Sequence, residues 1–298
     1  MARGKDTPPE QMLSIFRITL LAVNTGLFLL STAANASAPS ARQHHDPSRV
    51  PGSYTVAQSG RPLADMLLQL QQAFLSPINY EEVPYQNDSE LRSLVVSTLQ
   101  GPKRLRFTPA ADFTATLTEA DSNPYLALHS VFAQYKQAGL YAADGYKIVQ
   151  QENYVDVLPT QVLAITGSKR QVSPVMEHPV TFSKSERTGE QTLELLVSEI
   201  SKVSRKQVKL MWDPFTVLDP KISVGANAEL PSQVLAKIGE SAGVTLSYQC
   251  LYDASDTTYY VNFYPVAGKV EGTLYNDRAP GERPRKPSPN VFFSKDIQ

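Results

Sequence analysis

From Arg61 onward, apolar residues recur at helical spacing. Leu63, Met66, Leu67, Leu70 and Phe74 share one stripe of a helix, and Pro62 opens it, because a fixed φ and a missing N–H suit a first helical turn. Pro77 to Tyr85 then reads as a short strand closed by Pro84. The order returns about 130 residues later: Leu193, Leu196, Val197 and Ile200 form the helical stripe, Val208, Leu210 and Trp212 alternate as a strand, and Pro214-Phe215 stands where Pro84-Tyr85 stood. The shared register of helix, strand and closing proline-aromatic pair predicts one structural unit written twice.

Each copy continues with a second helix and a hairpin. Pro231 opens a helix carrying Val234, Leu235, Ile238 and Ala242, Gly243 ends it, and strands follow over 245–252 and 258–266. In the first copy the matching helix carries Tyr125, Leu128, Val131, Phe132 and Tyr135, ends at Gly139, and leads to strands over 140–149 and 154–158. With further strands at Thr181-Phe182 and over 221–224, the expectation is an α+β fold: two tandem β-α-β-β-α-β-β units, each with two helices packed on one face of a small mixed sheet.

The predicted domains span 59–166, with an insertion at 86–122, and 180–266, joined by a polar linker at 167–179. Residues 37–58, rich in Ser, Ala, Pro and His, read as a flexible lead, and 267–298 as a disordered proline-rich tail with the basic run Arg283-Pro284-Arg285-Lys286. At the start, Arg3, Lys5 and Arg17 precede a thirteen-residue mostly apolar run, Ile18 to Leu30, and Ala34-Asn35-Ala36 follows. That order predicts a signal peptide cleaved near Ala36 and a bacterial periplasmic or secreted chain, with no stable membrane insertion once it is removed.

Charge narrows the partners. The 298 residues hold 28 Lys and Arg against 29 Asp and Glu, a net −1, so no global basic field attracts nucleic acid. The single cysteine, Cys250, can neither close an intrachain disulfide nor furnish a zinc site.

The helix before Val208, the Ile222-Ser223-Val224 strand, the Leu235-Ala236-Lys237-Ile238 helix and the strand entry Gly243 to Tyr248 resemble the short N-terminal (STN) domain of secretins and TonB-dependent receptors. The resemblance covers about 85 residues of the second copy and, more loosely, the first. It implies a non-catalytic periplasmic module that touches partner proteins. The chain is most similar to exported bacterial proteins with paired domains of this type and no assigned role.

Candidate chemistry yields little. Gly239-Glu240-Ser241-Ala242-Gly243 matches G-x-S-x-G, but a nucleophile elbow needs a strand before the serine, and here a helix precedes it, so a glycine-ended helix is the better reading. Glu81 and Glu82 are strand neighbours and leave on opposite faces, which rules out an acid-base pair. Asp253 and Asp256 flank a turn, where aspartate hydrogen-bonds its own backbone. Cys250 shares a strand face with Leu246, Tyr248 and Tyr252 and reads as core. His44-His45 lacks the rest of a tetrahedral ligand set. No catalytic, cofactor-binding or metal-binding residue is expected, and the chain reads as no enzyme.

A surface is the stronger candidate. Tyr260, Asn262 and Tyr264 share one strand face, Gln249 looks away from the Cys250 face, and aromatics with amides are enriched where proteins meet. These four residues are the predicted partner-binding set, unless that face packs on the other domain. The expectation is therefore a non-enzymatic interaction or envelope-assembly module whose partner is an envelope protein. The alternatives are an envelope enzyme or ligand-binding protein with a site between the domains, around His129 or His178, and a homo-oligomeric, ring-forming subunit.

Overall fold

The computed structural model describes residues 51–99, 101–140, 145–212, 218–270 and 273–274. The stretch read as a signal peptide, most of that read as a lead and most of that read as a tail lie outside these residues. The chain divides into two compact units, one of Met1–His45 with Val95–Lys103 and one of Asp46–Leu94 with Arg104–Gln298. The described part of the first is the end of a two-stranded hairpin, β3 (Arg92–Thr98) and β4 (Gly101–Phe107), where the Thr98 hydroxyl donates to the Gly101 carbonyl at 2.7 Å.

The second unit is α+β. Among the described residues four helices, α1 (Pro62–Phe74), α2 (Pro124–Gln137), α3 (Gly189–Ser204) and α4 (Pro231–Ala242), start and stop where local chemistry dictates. Proline opens α1, α2 and α4 in the first turn. The Asn123 side chain accepts the Leu126 N–H at 3.0 Å, and Thr188 and Gln191 cap α3 reciprocally. Gly243, at φ 71°, ends α4 as the sequence predicts. Within α4, a Cβ on Gly239 would lie 2.6 Å from the Val244 carbonyl oxygen, so glycine is what lets the following strand turn back closely.

In the first half, β1 (Gly52–Ser59) pairs antiparallel with β5 (Ala111–Leu117). Strand β2 (Ile78–Glu81) pairs parallel with β7 (Val155–Pro159), which pairs antiparallel with β6 (Tyr146–Gln150). In the second half, β10 (Val180–Thr188) pairs antiparallel with β12 (Lys221–Glu229). Strand β11 (Val208–Trp212) pairs parallel with β14 (Thr258–Val270), which pairs antiparallel with β13 (Val244–Asp253). Ile78 faces Val155 as Val208 faces Tyr259, and Ile148 faces Val157 as Cys250 faces Val261.

The halves share one sheet. Strand β13 pairs parallel with β2, Gln249 opposite Tyr80 and Cys250 opposite Glu81, giving the order β11-β14-β13-β2-β7-β6. Their helices cover opposite faces of it. Ile78 and Tyr80 enter one core with Leu63, Met66, Leu70 and Leu128, while Leu246, Tyr248 and Cys250 enter the other with Leu193, Ile200 and Leu235.

Several boundaries differ from expectation. Strand β1 lies mostly within the residues read as a flexible lead, because Tyr54 and Val56 alternate into the first core. The stretch 86–122, read as an insertion, contains β5, which the body needs as the partner of β1. The linker 167–179 is not merely polar: β9 (Lys169–Gln171) pairs with β8 (Gln161–Leu163), and a 3-10 turn at Val175–Glu177 buries Val175 and Met176 in the second core. In the tail, β14 runs on to Val270 and pairs with β15 (Thr273–Leu274). Among the described residues no helix is long and apolar enough to cross a membrane.

Candidate functional site

The line where β2 meets β13 concentrates the buried polar groups. Asn79 and Glu81 point from β2 away from their own core, toward the helices of the second half. Glu81 is 0% exposed, and its carboxyl oxygens accept the backbone N–H of Val175 at 2.8 Å and of Met176 at 2.9 Å. Asn79 accepts the Tyr248 N–H at 3.1 Å and donates to Asp156 at 2.9 Å, and Asp156 accepts from the Ser232 hydroxyl of α4 at 3.2 Å. From the other side, Gln249 Nε2 donates to the Ala64 carbonyl of α1 at 2.7 Å. Glu82 accepts from Arg61 Nε at 3.0 Å and from the Tyr252 N–H at 2.9 Å, and Arg61 also donates to the Tyr252 carbonyl at 3.1 Å.

Burial sets the electrostatics. It pushes the Glu81 carboxyl up to about 8, against the pull of its two backbone N–H donors, and raises Asp156 to about 6 against Asn79 and Ser232. Glu81 and Glu82 thus serve two separate bonding networks. This is a seam of satisfied polar groups, which fixes how the halves meet.

The predicted partner-binding residues part company here. Gln249 and Asn262 are 4% and 7% exposed, Gln249 held beneath α1 by its bond to Ala64. Tyr264 is half-buried, 3.5 Å from the Gln249 side chain. Tyr260 is half-buried at the sheet margin, donates to Asp256 at 2.9 Å and lies under the Lys209 ammonium, 5.7 Å from its ring centroid. Burial raises both phenols to about 12, helped at Tyr260 by Asp256 and at Tyr264 by Asp65. The four side chains do not make one exposed surface, because α1 of the first half covers the centre of that face.

What stays open is the β11 margin. Met211 is 65% exposed, and Lys209, opposite Tyr260, is exposed. Beside it, α3 and β11 enclose an open groove of about 620 Å³ lined by Glu194, Val197, Ser201, Lys202, Val208 and Leu210. Among the described residues no strand pairs with the outer edge of β11, or with that of β6 at the opposite end. The chain matches no family model, no curated protein and no solved structure.

The remaining candidates sit in ordinary roles. Ser241 is exposed on the last turn of α4, with no strand before it. Asp253 and Asp256 accept the N–H groups of Ser255 at 2.7 Å and Thr258 at 3.1 Å, each two residues on, as turn aspartates do. Cys250 is fully buried in the second core, and burial pushes its thiol well up. His129 is exposed and stacks edge-on against Tyr125, and His178 lies 3.5 Å from the Ser173 hydroxyl. Among the described residues no three His, Cys, Asp or Glu side chains gather as metal ligands. His44 and His45 lie outside the described residues. Sequence reasoning passed over the β11 margin, although Lys209 and Met211, alternating with Val208 and Leu210, are its sequence signal.

Proposed function

We propose that the chain is a non-enzymatic, exported interaction module built of two tandem STN-like β-α-β-β-α-β-β units, whose free sheet margins accept a strand of an envelope protein. The observation that carries this reading is the β11 margin, a strand whose outer edge is unpaired among the described residues, beside a groove under α3, with Met211 exposed and Tyr260 half-buried next to it. The tandem reading is supported by the matching pairs Ile78–Val155 and Val208–Tyr259, and Ile148–Val157 and Cys250–Val261. Strand addition draws affinity from main-chain hydrogen bonds and specificity from alternate side chains, both present at this margin. The polar seam supports a structural use of Glu81 and Asp156, since each is bonded to protein groups that hold the halves together.

A photo-crosslinking residue at Met211, with a second at exposed Glu240 on α4 as control, tests the site. The expected result is an envelope-protein adduct from Met211 that is lost in the variant Tyr260→Ala with Tyr264→Ala. Equal adducts from both positions, or retention in that variant, would overturn it.

A further inference from the structure

The seam between the halves indicates what belongs at the open margins. If the halves are equivalent, β2 corresponds to β11 and β6 to β13, so the edge of β2 that takes β13 is the counterpart of the open edge of β11. The edge of β13 that takes β2 is likewise the counterpart of the open edge of β6. The molecule carries two unused copies of the two surfaces that already bind each other within it. We propose that the envelope protein whose strand these margins accept is a second copy of this chain, β6 of one molecule pairing parallel with β11 of the next; this rests on the tandem reading above.

The register follows from the seam. Ile78 faces Val155 as Val208 faces Tyr259, so Tyr80 corresponds to Leu210; one residue on in the chain, Glu81 corresponds to Met211, where the β11–β14 register shifts. Ile148 faces Val157 as Cys250 faces Val261, so Lys147 corresponds to Gln249. Moving the pairs Gln249–Tyr80 and Cys250–Glu81 to the open margins sets Lys147 opposite Leu210 and Ile148 opposite Met211.

Side chains at these places suit the junction. In the seam Gln249 reaches under α1 to the Ala64 carbonyl. Leu63 and Leu67 of α1 correspond to Leu193 and Val197 of α3, so the counterpart of Ala64 is Glu194, on the wall of the groove. A cationic Lys147 would therefore enter a groove whose matching position is anionic. Glu194 is exposed and makes no ion pair among the described residues, while Lys147 leans on Glu177. The counterpart of fully buried Glu81 is Met211, an apolar residue 65% exposed until a strand and helix cover it.

The symmetry fixes the form of the assembly. The halves keep the same strand order along the sheet but run in opposite directions with their helices on opposite faces. A half-turn combined with a step along the sheet relates them, and repeating a step never closes. Head-to-tail addition by this operator builds an open filament with helices alternating on its two faces.

The test uses full-length chains crosslinked with a short bis-maleimide. A mixture of Lys147→Cys and Glu194→Cys chains is expected to give crosslinked dimer that neither gives alone, and one chain carrying both changes is expected to give a ladder of multimers. Glu194→Lys, which alters an exposed residue, is expected to abolish the rise of scattering mass with concentration. A mixture no different from its single-variant controls, or wild-type mass constant at the monomer value at every concentration, overturns the proposal. Asp156→Cys with Ser232→Cys probes the internal seam in parallel. If its intrachain disulfide forms while intermolecular crosslinks do not, second-copy binding fails alone; if neither forms, the tandem reading has failed as well.

Discussion

Strands β2 and β11 each follow the first helix of their half and pair parallel with a later strand, yet β2 is buried on both faces and bonded on both edges, and β11, among the described residues, is bonded on one edge only. Val208 and Leu210 pack on their own core as Ile78 and Tyr80 do on theirs. The difference lies at the alternate positions. Strand β2 carries Asn79 and Glu81, which reach backbone and side-chain partners across the seam, whereas β11 carries Lys209 and Met211, which face solvent. Position in a fold decides which side chains face inward; what docks on the other face decides whether a strand is core or margin. A polar residue at such a position marks a core strand when its partners are supplied from another element.

The largest expected contrast is between Glu81→Ala and Met211→Ala. The first leaves the Val175 and Met176 N–H groups buried without an acceptor, a loss of about 2–5 kcal/mol of unfolding free energy, while the second is an exposed truncation expected to stay within about 0.5 kcal/mol. Urea denaturation of both variants reads the contrast directly, and equal losses would erase the distinction between seam and margin.

Next comes Arg61→Ala, which strips the Glu82 carboxylate of its cation. Glu82 is 1% exposed there and keeps only the Tyr252 N–H among its named donors, so a loss of roughly 2–4 kcal/mol is expected, the upper range being reduced because Arg61 itself is one-third exposed. Reversing the surface pair Lys202–Glu199 on α3 serves as control, with an expected effect below about 1 kcal/mol.

A gradual trend is expected with pH. The folded chain holds the Glu81 proton up to about 8, where an unfolded glutamate releases it near 4.5. The unfolded state therefore binds fewer protons through that window, and the stabilising contribution is complete below the lower value and drains away as pH rises to the upper one. Asp156 repeats the trend between 3.8 and about 6. Denaturation midpoints measured across this range are expected to fall with rising pH. Glu81→Gln flattens the upper part of the slope and Asp156→Asn the lower; an unchanged slope in both would show that the seam does not titrate.

How much was legible in the sequence differs element by element. The stripes Leu63-Met66-Leu67-Leu70 and Leu193-Leu196-Val197-Ile200 are the buried faces of α1 and α3, because helical periodicity survives whatever the helix packs on. Gly243 and the turn aspartates were equally readable, being local chemistry. Strand β1 was hidden, since only Tyr54 and Val56 alternate within Ser- and Pro-rich surroundings. Val175 and Met176 were hidden by polar neighbours, their burial depending on Glu81 far back in the chain. The β2–β13 pairing was the least legible. Parallel pairing between strands so distant leaves no period in the sequence, and Gln249, taken for a surface group, is buried by a helix from the other half.

Amide hydrogen exchange along β2 and β11 tests most directly whether one sheet joins the halves. In dilute solution the Asn79 to Glu81 amides are expected to exchange only with global unfolding, and the outward amides of β11 through local opening that is orders of magnitude faster. Fast exchange across Asn79 to Glu81, at rates like those of the β11 margin, would mean that the seam is not there.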